Sequence, residues 1–264
     1  MRSKVDKKSW AALVPVITRY KCFITALAAR LPGLAECIQR LVDEREGPSY
    51  TVKTPVVYNG ALEDITALDN IHIILVGDNP GRREQEQGRY LIGPSGKIAE
   101  TFFRRHPELD TDFRKQVLIL NKTPVHTPRT ADLKELCRLG GGGVAGAVWS
   151  SQRTMAELLY EFWKALANPG GRKAIPSKTP AGAPKVWITG YSEMKGRGIF
   201  EAYTEKLRDL CAADGDFKES VWLFRHFSMN QFTVDLNKKA LAKESLLQSL
   251  ERIGREYHER IIGS

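Results

Sequence analysis

The chain has 264 residues, 42% hydrophobic and 27% charged, a composition that excludes a disordered protein and leaves room for a full core. Forty Lys and Arg against thirty-one Asp and Glu give a formal charge of +9 and a pI near 9.4, a field that draws polyanions, nucleic acid first among them. No stretch reads as a membrane span, no apolar leader follows the basic start and no cationic amphipathic helix is evident, so a cytoplasmic protein without membrane contact is expected.

In chain order, residues 9 to 45 read as helical: Leu13, Val16, Ile17, Tyr20, Ile24, Leu27, Ala28 and Leu31 recur at helical spacing. Pro32-Gly33 breaks that pattern, and a second helix through Leu34, Cys37, Ile38 and Leu41 stops at Gly47-Pro48. Residues 1–50 form a helical extension in this reading, and 51–264 the main domain. From about residue 55 strands and helices alternate. Strands are expected at Ile71–Val76, Val117–Leu120, Val186–Thr189 and Val221–Phe224, and helices near Gly96–Arg105, Ala131–Leu139, Gln152–Ala167, Ile199–Cys211 and Ala240–Tyr257. This order predicts a three-layer α/β/α fold with a mostly parallel central sheet of about four strands. Gly140 to Gly143 reads as a flexible helix exit, and Asn168 to Pro184, rich in Pro, Gly and Lys, as a mobile surface loop. Cys22, Cys37, Cys137 and Cys211 include no Cys-x-x-Cys pair, so neither zinc nor a disulfide framework is suggested.

Each expected strand runs into a polar cluster. Ile71–Val76 leads to Gly77-Asp78-Asn79-Pro80-Gly81, and Val117–Leu120 to Asn121-Lys122-Thr123-Pro124-Val125-His126. The third strand leads to Gly190-Tyr191-Ser192 and Lys195-Gly196-Arg197, the fourth to Arg225-His226-Phe227-Ser228-Met229-Asn230. In open α/β sheets ligands bind outside the carboxyl ends of the strands. Taken singly, these clusters are ordinary turns and caps. Together they bring amides, a carboxylate and an imidazole to one edge, a set suited to hydrolysis. Lys122, Arg129, Lys195, Arg197 and Arg225 offer phosphate contacts. His126, between two prolines, reads as structural. Gly93-Pro94-Ser95-Gly96-Lys97 is not a nucleotide P-loop, because Leu91 stands where that loop needs Gly and Ile98 where it needs Ser or Thr.

Gly77-Asp78-Asn79-Pro80-Gly81, followed by Glu84 to Gly88 and Gly93-Pro94-Ser95-Gly96, resembles the first motif of the uracil-DNA glycosylase superfamily. Leu118-Ile119-Leu120-Asn121 resembles the strand whose terminal Asn reads the base, and His226-Phe227-Ser228 the carboxy-terminal His-Pro-Ser motif. The likeness spans roughly residues 55 to 260 and is close only in these short segments. It implies a monofunctional DNA glycosylase of base excision repair, acting as a monomer on DNA, with no cofactor and no metal. Uracil or a related pyrimidine is the implied base.

By the same resemblance Asp78, Asn79 and His226 are catalytic. Asn79 takes the water-positioning place of the Asn-type families and Asp78 the place of the family 4 Glu, so which of them holds the water stays open. Gly77, Pro80, Gly81, Tyr90, Leu91, Asn121 and Ser228 would bind the base, with Asn121 pairing to its edge. Ser95, Lys122, Lys195, Arg197, Met229 and Asn230 would contact DNA, Met229 as a wedge in the base stack. Leu91 stands where family 4 has its stacking aromatic, with Tyr90 the neighbouring candidate, and Phe227 replaces the motif proline. The paired cysteines of the family 4 iron–sulfur cluster are absent, so no cluster is expected. A non-catalytic nucleic-acid-binding module on the same fold is the alternative.

Overall fold

The computed structural model describes residues 7–66, 70–167 and 182–263. Four short strands form an all-parallel sheet in the order β2-β1-β3-β4: β1 Ile73–Gly77, β2 Val117–Asn121, β3 Lys185–Thr189 and β4 Val221–Phe224. Every residue of β1, β2 and β4 is buried, as expected for a parallel sheet covered on both faces. All four strands lie within a few residues of where the apolar runs put them, and the expected α/β class holds.

Ten helices, counted among the described residues, wrap this sheet: α1 Lys7–Ala29, α2 Leu34–Glu46, α3 Arg82–Gln87, α4 Pro94–Arg105, α5 Asp132–Leu139, α6 Gly141–Ala167, α7 Glu201–Ala213, α8 Gly215–Ser220, α9 Gln231–Lys239 and α10 Leu246–Ile261. One face is aromatic. Trp187 of β3 stacks against Phe103 of α4 and Phe232 of α9, and Phe224 of β4 joins the same group. Gly254 of α10 lies so close to Trp222 and Phe224 of β4 that a side chain there would overlap them. The long helix α6 packs against β2, α1, α5, α7 and α8.

Three local differences from the sequence reading have physical causes. Helix α6 begins at Gly141, although glycine is among the poorest helix formers; burial of Val144, Ala147 and Val148 outweighs that preference. The helix expected over Ala240–Tyr257 begins only at Leu246, because Ser245 caps α10 through the Gln248 N–H while the Gln248 side chain returns to the Ser245 N–H; α9, which precedes the expected range, was not anticipated. Helix α1 is long and apolar enough to cross a membrane, with a mean hydropathy of 1.4 over Trp10–Ala29, which the sequence reading did not count. Its Leu13, Tyr20, Ile24 and Leu27 belong to the same core as the sheet, and its Arg19 pairs with Glu161 of α6. Residues 168–181 of the expected surface loop lie outside the described residues.

Candidate functional site

The carboxyl ends of β1, β2, β3 and β4 open onto one cleft of about 760 Å³. Asp78 and Asn79 follow β1, Asn121 ends β2, Gly190 and Ser192 follow β3, and His226 and Ser228 follow β4; all line this cleft. Groups up to about 150 positions apart in the chain are therefore gathered at one sheet edge, the place parallel topology reserves for ligands.

Asn79 is half-buried, and its amide nitrogen is spent on the protein. Nδ2 donates to Thr127 Oγ1 at 2.8 Å and to the Val125 carbonyl at 3.3 Å. Oδ1 is left as the end of the side chain available to a ligand. His126 supports the same turn: it is fully buried, its Nδ1 lies 2.8 Å from the Pro80 carbonyl and its Nε2 3.0 Å from the Tyr50 hydroxyl. Burial brings its pKa down to about 4, against the upward pull of the Pro80 carbonyl, so the ring is neutral and serves as a strut.

Asn121 is 2% exposed, and its Nδ2 has no hydrogen-bond partner among the described residues. Its amide sits beside Gly77, its register partner on β1, where an added Cβ would come within 2.5 Å of Oδ1. Gly77 therefore leaves room for the amide and does not itself line the cleft. A buried, unpaired donor is costly unless a ligand satisfies it.

His226 accepts the Ser228 main-chain N–H on Nδ1 at 3.0 Å, with the Ser228 hydroxyl 2.8 Å from the same atom. A ring nitrogen that accepts an N–H carries no proton, so in the neutral ring the proton is on Nε2. Burial lowers the pKa of this histidine; the Asp78 charge acts upward and the Lys122 charge downward. Nε2–H is thus a neutral donor with no protein partner among the described residues.

Asp78 is 8% exposed and ion-paired through Oδ1 to Lys122 Nζ at 2.6 Å. Gly190, at φ +77°, lies against this carboxylate, where any side chain would strike Oδ1. Lys122 is a correction to the sequence reading. It is completely buried, its ammonium bound to Asp78 and the Thr189 carbonyl, so it is no phosphate contact. A lysine just past a strand looks solvent-facing in sequence, but its four-carbon stem folds back beneath the sheet edge.

Tyr90 is corrected too. It is buried, donating to the Val57 carbonyl at 2.7 Å and lying 2.8 Å from the Tyr20 hydroxyl of α1, so it cannot stack on a ligand. Leu91 is the residue that lines the cleft, held at φ +50° with its carbonyl bonded to Arg114. No Phe, Tyr or Trp side chain lines the cleft among the described residues.

Phe227 turns inward and stacks on Phe232 with ring centroids 4.3 Å apart. The next residues form a tight turn with Met229 and Asn230 both left-handed, at φ +50° and +56°. Met229 is thereby 81% exposed at the cleft rim. Gly81 and Ser95 also line the cleft, whereas Pro80 and Asn230 are not among its lining residues. Lys195 is exposed over the Tyr191 ring, Arg197 borders a separate groove beside Trp149, and Arg225 pairs with Asp235 at 3.4 Å; none of the three lines the cleft.

Cations that do line it are Arg82, Arg83 and Arg129. Glu84, also in its wall, was missed as a site residue. Its Oε2 accepts the Gly81 N–H at 3.0 Å, and burial pushes its carboxyl up to about 7, against the downward effect of the Gly81, Leu91 and Ile92 main-chain N–H groups. Among the described residues no three His, Cys, Asp or Glu side chains are gathered as metal ligands. Comparison with protein-family models, curated proteins and solved structures finds no match to this chain.

Proposed function

We propose that the protein is a monofunctional DNA glycosylase that hydrolyses the N-glycosidic bond of a base turned out of the helix, uracil or a related pyrimidine. The observation that carries this reading is the set of unused polar groups in one cleft: Asn79 Oδ1, Asn121 Nδ2 and the His226 Nε2–H. Uracil presents two carbonyl oxygens flanking an N–H. Asn121, with one acceptor and one donor, matches N3–H and O4, and the neutral His226 donor matches O2. Cytosine, with an amino group and a bare ring nitrogen, meets the Asn in that orientation with the wrong polarity.

In the reaction the C1′–N bond breaks and its electron pair leaves with the base. His226 and Asn121 stabilise the resulting anion through fixed donors. Water accepted by Asn79 Oδ1 forms the new bond to C1′ and loses its proton to solvent. A cleft of about 760 Å³ has room for a nucleotide with its flanking phosphates.

Single-turnover incubation with oligonucleotides carrying uracil, hydroxymethyluracil, a thymine mismatch, hypoxanthine or xanthine, followed by alkaline cleavage, tests this. Strand scission at uracil is expected; intact strands for every base would overturn the reading. The absence of an aromatic plate in the cleft favours a second reading, a nucleic-acid-binding module without catalysis. That module predicts retention of DNA with no abasic product.

A further inference from the structure

Lys122 stands immediately after β2, yet its ammonium reaches the ends of two neighbouring strands. Nζ lies 2.6 Å from Asp78 Oδ1, 2.5 Å from the carbonyl of Thr189, the last residue of β3, and 3.4 Å from the carbonyl of Gly77, the last residue of β1. An ammonium has three protons, and these three acceptors match that number. The Phe200 ring lies 4.8 Å away and closes the site from another side. The main-chain N–H of Lys122 adds bonds to the Gly77 and Asp78 carbonyls at 3.1 and 3.0 Å. Burying a lysine this completely costs several kcal/mol unless its charge is matched.

We propose that Lys122 is a positioning residue that binds the ends of β1, β2 and β3 together and locks one oxygen of Asp78. On this assignment the acceptor presented to water belongs to Asn79, and Asp78 is held as a fixed carboxylate in the cleft floor. The inference rests on the glycosylase reading only for its catalytic consequence. Three features of the geometry support it. Asp78 Oδ1 is held by Lys122, and the Asn79 amide is oriented by the bonds of its Nδ2, which leave Oδ1 as its open end. Gly190, which has no side chain, leaves the space in which the carboxylate is held. The pair is also electrically balanced where His226 has to stay neutral. The charged groups that act on that ring are Asp78 and Lys122; Glu193 faces Lys122, and the neighbouring Arg225 is paired with Asp235.

The test compares the full-length wild type with Lys122→Met, Asp78→Asn and the double variant. The His226 ring is titrated by NMR, assigned with His226→Gln, and base release from a uracil oligonucleotide is followed in single turnover. Lys122→Met leaves Asp78 unopposed, so His226 titrates higher than in the wild type. Asp78→Asn leaves Lys122 unopposed, so it titrates lower. The double variant removes both charges and returns the titration toward the wild-type position. Release slows on the order of 10²-fold in Lys122→Met, as for a reacting group displaced by about 1 Å, and the double variant recovers part of that loss.

A His226 titration identical in all four proteins would overturn the assignment, as would wild-type release by folded Lys122→Met. If Lys122→Met does not fold, Asp78→Asn against the double variant makes the same comparison, with the double variant titrating higher. Intact strands from the wild type would defeat the glycosylase reading, while the titration still decides the role of Lys122.

Discussion

The Asn79 amide nitrogen is held by the Thr127 hydroxyl at 2.8 Å, a bond between the turn after β1 and the loop after β2. Thr127 Oγ1 in turn donates to the Arg129 carbonyl at 2.8 Å, so the hydroxyl has one orientation and the amide is fixed by it. Asn79→Ala is expected to slow base release on the order of 10²-fold or more, through loss of the water's acceptor. Thr127→Val keeps the volume and removes the bond. It frees the amide to rotate and is expected to cost about tenfold, in the turnover step and not in DNA affinity. Equal rates for Thr127→Val and the wild type in single turnover would show that this bond does not orient the amide.

His226 makes a prediction that needs no substrate. Because Nδ1 accepts the Ser228 N–H, nitrogen NMR of the free protein is expected to show the Nε2–H tautomer at neutral pH. Burial lowers its pKa, so the imidazolium forms only below the usual histidine range. His226→Gln is expected to reduce base release on the order of 10²–10³-fold, the effect of removing one donor to a developing anion. A ring protonated on both nitrogens at pH 7 would contradict the assigned tautomer.

The contrast between Asn121 and Lys122 shows how far sequence reaches. Both follow the apolar run of β2, and a parallel strand brings its terminal residue to the ligand edge, so Asn121 was legible. The neighbouring side chain leaves the strand on the other side, and residue type alone does not say that a lysine folds beneath the sheet. Tyr90 and Leu91 were ambiguous for a related reason: the left-handed turn at Leu91 decides which of them faces the cleft, and nothing local announces that turn. The four strands were readable as short β-branched runs. The start of α6 was not, because its glycines become helical only through the packing of Val144 and Val148.

Glu84 gives a pH-dependent stability. Its carboxyl rises from 4.5 to about 7, chiefly by burial. An acid whose pKa is raised on folding binds protons preferentially in the folded state. Its contribution is therefore most favourable below about 4.5 and is lost as pH rises to about 7. Glu84→Gln keeps an oxygen for the Gly81 N–H and cannot ionise. Urea unfolding of both proteins is expected to show the variant gaining roughly 3 kcal/mol on the wild type between pH 4.5 and pH 8. A stability gap independent of pH would place the titration elsewhere.

Met229 is an apolar side chain displayed on a strained turn. Two consecutive left-handed residues cost on the order of 1 kcal/mol each, and the turn they make displays Met229 at the cleft rim. Such a side chain can fill the gap left when a base is turned out of the stack. Met229→Ala is expected to leave the melting temperature within a degree or two, since the side chain buries almost nothing. It is expected to weaken the fluorescence rise of 2-aminopurine placed beside the target base by severalfold. An unchanged rise would exclude Met229 as the wedge.

On the proposed DNA-binding role, the choice of phosphate contacts is the last point at which position in the fold overrides position in the sequence. Lys195 and Arg197 follow β3 and look suited to DNA, yet neither lines the cleft; Arg83 and Arg129 do. Counterion release gives each phosphate contact a share of about 0.9 in the slope of log affinity against log salt on duplex DNA, and about 0.7 on single strands. Arg83→Ala and Arg129→Ala are each expected to flatten the slope by about that amount and to weaken damaged and undamaged DNA alike. Lys195→Ala and Arg197→Ala are expected to leave it nearly unchanged. A slope that responds to Lys195 and Arg197 but not to Arg83 and Arg129 would mean that the strand runs along the Trp149 side of the molecule and away from the cleft.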